Sequence, residues 1–110
     1  MKRLSRATFE SVYKTGKRAK SNNFSLVYTL SRDNRRYFSP VISGKIINKA
    51  HNRILVKRRL RHIFNDLLKN NIKMIVFVKT DISKINFNDL EQEIKTILKQ
   101  ENILNNEISI

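Results

Sequence analysis

Lys45, Lys49, Arg53, Lys57, Arg58, Arg59 and Arg61 stand close together in a stretch whose next acidic residue is Asp66. Like charges three and four residues apart on a helix repel, and solvated helix faces ordinarily mix signs so that such neighbours attract. A polyanion relieves a run of one sign. Lys and Arg neutralise phosphates and release condensed counterions, the main source of sequence-independent affinity for nucleic acids. The first chemistry this sequence offers is phosphate binding.

Bond cleavage finds less support. His51 and His62 are the candidates for an acid-base pair, yet on one helix they stand about 16 Å apart, too far to serve a single phosphodiester. His62 and Asp66 have the spacing of a surface pair, and no third or fourth metal ligand accompanies them. Asp89, Glu91 and Glu93 suit the positive end of a helix, with Lys95 and Lys99 further along it. The chain has no cysteine, which excludes disulfides and Cys-based zinc sites and agrees with a reducing, cytoplasmic setting. No Gly-rich phosphate loop is present, so the residues themselves predict neither a catalytic group nor a metal site.

The elements that position these cations are legible in outline. The 110 residues suit one domain, residues 1–110, and the net charge of +14 is unevenly placed. Residues 1–80 carry 20 Lys/Arg against Glu10, Asp33 and Asp66, whereas residues 81–110 carry three Lys against six acids, giving +17 and −3. So concentrated a field in a small domain points to nucleic acid before an anionic membrane. No apolar run is long enough to span a bilayer, and the first residues lack a signal peptide's apolar stretch, so a soluble intracellular protein with no membrane partner is expected.

Ser5 is a candidate N-cap and Gly16 a stop for a short first helix carrying Phe9, Val12 and Tyr13. In "NFSLVYTLS", Phe24, Leu26, Tyr28 and Leu30 alternate with Ser25, Val27 and Thr29, predicting a half-buried strand, followed by a turn at "SRDNRR". "YFSPVIS" reads as a strand placed at an edge or bulge by Pro40. Val56, Leu60, Ile63, Phe64 and Leu67 form one stripe of a long helix from about Asn48 to Lys69. "KMIVFVKT" reads as a strand covered on both faces, and "NFNDLEQEIKTILKQ" as a final helix with an Asn cap. On the wheel of the long helix, Lys57, Arg61, Arg58 and Lys69 lie roughly 40° to 160° from Arg53, away from the apolar stripe. Ile54 and Leu55 also fall outside that stripe and are expected to be exposed.

The chain resembles the protein component of bacterial ribonuclease P along nearly its whole length. "LSRATFESVYKTGKRAKS" looks like that family's opening helix and "FSLVYTL" its first long strand. "AHNRILVKRRLRHIF" resembles the family signature: Ala, two positions, Arg-Asn-Arg, Ile or Val, Lys-Arg, two positions, Arg. Ala50, Arg53, Val56, Lys57, Arg58 and Arg61 stand at the matching places, while Ile54 and Leu55 replace the Asn and the second Arg. The expectation is that this pair weakens a phosphate contact rather than replacing it.

The resemblance implies an α+β two-layer sandwich of order αβββαβα, ribosomal protein S5 domain 2-like, with a left-handed crossover around the long basic helix. It implies a non-catalytic protein subunit bound to a catalytic RNA, which with Mg²⁺ removes the 5′ leader of precursor tRNA; no metal site on the protein and no protein partner are implied. By the same resemblance Lys45, Lys49, Arg53, Lys57, Arg58 and Arg61 would meet the RNA subunit. Phe9, Tyr13, Lys17, Arg18 and Tyr28 would meet the leader in a cleft between the first helix and the sheet, where aromatic faces stack on unpaired bases. Tyr13 and Tyr28 are favoured over Phe9 because a hydroxyl prefers an accessible edge. The alternative is a structural ribosomal or general RNA-binding protein with no processing role.

Overall fold

The computed structural model describes residues 1–105, in the order α1 (Arg6–Thr15), β1 (Lys17–Lys20), β2 (Phe24–Leu30), β3 (Tyr37–Val41), α2 (Ala50–Leu67), β4 (Ile72–Val78) and α3 (Phe87–Gln100). The αβββαβα order is the expected one. Ser5 caps α1 by accepting from the Thr8 N–H, and Asn86 caps α3 by accepting from the Asp89 N–H, each satisfying a donor that the first turn leaves free. Gly16 ends α1, but not through a left-handed conformation, since its φ is −72°. A Cβ there would lie 2.6 Å from the Val12 carbonyl oxygen and 2.9 Å from that of Tyr28, so glycine is required by the close approach of α1 to β2.

The strands form one sheet in the order β1-β2-β4-β3, antiparallel except for the parallel pair β3 and β4, which α2 connects. Asn34, at φ 62°, turns the chain between β2 and β3. Pro40 sits on the edge strand β3, where a missing donor is tolerated. Beyond β3 the N-terminal segment adds a further bridge: the Lys2 N–H donates to the Arg36 carbonyl and the Phe38 N–H to the Lys2 carbonyl.

The main core lies between the sheet and the pair α2 and α3, where Val56, Leu60, Ile63, Phe64 and Leu67 pack with Phe24, Leu26, Phe38, Met74 and Leu98. α1 covers part of the other face through Leu4, Val12, Val27 and Ile75. β4 is thereby buried from both sides, as its continuous apolar run predicts.

Two expectations about the strands change. β2 is not half-buried: Val27 is sealed under α1, while Leu30, at the end of the opposite row, is 73% exposed. Its position between β1 and β4, with helices on both sides, overrides the simple alternation. β1 has no sequence signature because only Ala19 of "KRAK" is buried, as suits a short basic edge strand.

Candidate nucleic-acid interface

The cations of α2 and its approach divide into two groups. Arg53 donates from Nη1 to the Ile47 and Asn48 carbonyls at 2.7 and 2.8 Å, and Arg59 donates from Nη2 to the Ile85 carbonyl at 2.8 Å. Arg61 reaches the Met1 carbonyl at 3.5 Å, with its guanidinium carbon 5.5 Å from the Phe38 ring centroid. These three arginines tie the helix to the loop before it, the loop after β4 and the N-terminal segment. Lys45, Lys49 and Arg58 are exposed, and Lys57 is half-buried. Among the described residues the ion pairs are Arg6 with Glu10 and His62 with Asp66, so none of these cations is spent on a carboxylate.

Lys57 turns toward α1. It lines a groove of about 360 Å³ with Arg3, Arg6, Phe9, Ser39 and Val41, so cations from α2, α1 and the N-terminal segment converge beside an aromatic ring. The Leu4 N–H donates to Ser39 Oγ at 3.1 Å, which fixes the segment carrying Arg3 against the sheet. Further along α1, Tyr13 is 46% exposed and packs edge-on against Phe77 at 5.8 Å. Arg18 donates to the Tyr13 carbonyl at 2.6 Å and holds its guanidinium 4.7 Å from that ring's centroid. Phe9, Tyr13, Phe77 and Arg18 thus form one shelf of aromatic and cationic groups, suited to unpaired bases and their phosphates.

Tyr28 and Lys17 do not join that shelf. Cross-strand pairing puts Lys17 opposite Tyr28 and Arg18 opposite Val27, and successive side chains of a strand point to opposite faces. Tyr28 therefore belongs to the main core, 6% exposed, with its hydroxyl donating to Glu101 Oε1 at 2.6 Å. Burial and that carboxylate push its pKa up to about 12. The expected accessible edge for the Tyr28 hydroxyl is absent because the α3 terminus covers it. Arg3, Arg6 and Phe77, by contrast, were not singled out from sequence. The spacing of Arg6, Phe9 and Tyr13 by three and four residues is the signal that puts Arg6 on the same helix face.

The histidines offer no joint site: both are exposed, and His62 lies 3.9 Å from Asp66 on the α2 surface. Among the described residues no group of three or more His, Asp or Glu side chains could hold a metal ion.

Residues 2–102 match the family model for ribonuclease P. The chain belongs to the ribonuclease P protein family. It is 35% identical over 104 residues to the ribonuclease P protein component of Pseudanabaena sp. (strain PCC 6903), covering 90% of this chain and 89% of that one. The protein of the same name from Streptococcus pyogenes serotype M5 is 27% identical over 99 residues, covering 87% and 82%. Among solved structures, the Thermotoga maritima ribonuclease P protein superposes with a TM-score of 0.80 at 21% identity, covering 91% of this chain and 97% of that one. The Staphylococcus aureus protein gives 0.79 at 18% identity, covering 93% and 95%. The fold of this family member is therefore the one its signature implied, and the Ile54-Leu55 departure sits on an otherwise ordinary scaffold: the pair is 56% and 41% exposed, outside the core as the helix register predicts.

Proposed function

We propose that this chain is the protein subunit of a ribonuclease P, binding the catalytic RNA through Lys45 and Lys49 on the approach to α2 and Arg58 on the helix, and the 5′ leader of precursor tRNA through the groove between α1, β3 and Lys57. The observation that carries the reading is the convergence of Arg3, Arg6 and Lys57 on Phe9, continued by Tyr13 and Arg18. A single strand needs cations for its phosphates and ring faces for its bases, and this surface offers both without a base-reading motif, which suits leaders of variable sequence. Phosphodiester hydrolysis belongs to the RNA with its Mg²⁺; the protein's part is to hold leader and RNA together and to lower the repulsion between them. A subunit with that role would act in the cytoplasm. Among the described residues no helix is long and apolar enough to cross a membrane.

The test is reconstitution. The protein alone should leave precursor tRNA intact, and together with the ribonuclease P RNA of the same genome and Mg²⁺ it should release the leader at lower magnesium than the RNA alone requires. Cleavage by the protein without RNA, surviving His51→Ala/His62→Ala, would overturn the reading. Co-purification with ribosomal RNA instead of one large non-coding RNA would favour a structural ribosomal role.

A further inference from the structure

We infer that the hollow beside Leu55 is a pocket for one unpaired nucleobase of the RNA that α2 binds, an inference that rests on the function proposed above. The hollow, of about 230 Å³, is lined by Asn52, Leu55, Val56, Arg58, Arg59 and Ser83, between the first half of α2 and the loop that leads from β4 to α3. Its chemistry is mixed in a particular way. Leu55, 41% exposed, and Val56 give an apolar floor, which disfavours a phosphate because the charge would lose water without gaining a donor there. Asn52 brings an amide with two donors and an acceptor, the pattern that meets a base edge. Arg59 is held in place by the Ser83 and Ile85 carbonyls at 3.5 and 2.8 Å, so its guanidinium is a pre-set plane rather than a mobile charge. Arg58 is exposed at the rim, where it can meet the phosphate of the same nucleotide. The loop's own carboxylate, Asp81, is engaged with the Ser83 N–H at 3.0 Å.

The occupant follows from position as well as lining. The hollow lies on the helix whose cations are unspent on carboxylates, and an anionic partner carrying a flat, partly apolar group satisfies both at once. Leu55 then substitutes an apolar contact for the family's arginine. An arginine at that place would stand three and four residues from Arg58 and Arg59, where like charges repel.

Titration of the full chain with the ribonuclease P RNA of the same genome, at several salt concentrations, tests this. Leu55→Ala and Asn52→Ala should each weaken binding by about tenfold, in the range of a lost base contact, without changing the salt slope, since no phosphate contact is removed. Arg58→Ala should flatten the slope. Dimethyl sulfate probing should show a base protected in the wild-type complex and reactive with Leu55→Ala. Specific binding by the wild type that Leu55→Ala leaves unchanged overturns the pocket alone, and tighter binding by Leu55→Arg does the same by showing a merely weakened phosphate contact. A wild-type chain that does not prefer this RNA to a fully paired duplex of equal length overturns the functional reading and the pocket with it. Thermal melts of each variant, expected to match the wild type because the side chains are partly exposed, separate loss of contact from loss of fold.

Discussion

Lys17 and Arg18 are neighbours in sequence and lie on opposite faces of the sheet: Lys17 pairs across from Tyr28 on the core side, and Arg18 pairs across from Val27 on the side of α1. Only Arg18 reaches the aromatic shelf. Arg18→Ala should weaken binding of leader-bearing precursor more than mature tRNA, by roughly 1–2 kcal/mol if a charge-assisted contact is lost, whereas Lys17→Ala should affect both substrates alike. Paired titrations of the two substrates decide it.

Tyr13 should carry leader binding and Tyr28 should not. Tyr13→Ala removes an exposed ring and is expected to cost roughly 1–3 kcal/mol on the leader-bearing substrate with little loss of stability. Equal losses on both substrates would return Tyr13 to general RNA contact.

Arg53 and Arg58 should separate folding from binding. Arg53→Ala leaves the Ile47 and Asn48 carbonyls without their donor and should lower unfolding free energy by about 1–3 kcal/mol. Arg58→Ala should leave the denaturation midpoint in place and flatten the salt dependence of RNA binding by roughly 0.7–0.9 in log-log slope. Urea melts beside salt titrations check both.

Stability should fall with alkali through Tyr28. Its hydroxyl titrates near 12 in the fold against an ordinary 10, so between those values the unfolded chain holds fewer protons and rising pH favours unfolding. The contribution is fully present below pH 10 and is lost toward pH 12. Tyr28→Phe should reduce this slope, with some remaining from Tyr37, whose pKa is raised by its hydrogen bond to Asp33. Denaturation midpoints across that range measure the difference.

Gly16→Ala should destabilise the protein by about 1–3 kcal/mol, because the added methyl meets backbone oxygens of both α1 and β2, which cannot yield as a side chain would. An unchanged melt would mean that α1 can lift away from the sheet.

Helix positions were legible because capping and periodicity act locally. Ser5, Gly16 and Asn86 mark their ends where expected, and the stripe from Val56 to Leu67 fixed which residues of α2 would be exposed, Ile54 and Leu55 included. The facing of β2 was less so, since "LVY" offers apolar groups to both sides and only the position of α1 decides between them. For that reason Val27 faces α1 and Tyr28 lies on the opposite side of the sheet from Phe9. Phe77 was hidden in a continuous apolar run, where alternation gives no sign of which ring reaches the surface. The anchoring of Arg53, Arg59 and Arg61 was invisible as well, because their acceptors are backbone carbonyls that carry no residue identity.

The bridge between Lys2 and Tyr37 also bears on the edges that the sheet offers to other chains. An uncovered edge strand is a template for another chain, and β3 would be one, with its buried Phe38 and Ser39. The segment around Lys2 and Leu4 occupies that edge with its own hydrogen bonds, while at the other end of the sheet β1 presents Lys17, Arg18 and Lys20. One border is covered at its start by the chain's own backbone, and the other carries cations. Both borders thus carry a feature that disfavours sheet-to-sheet pairing between copies of a highly charged chain.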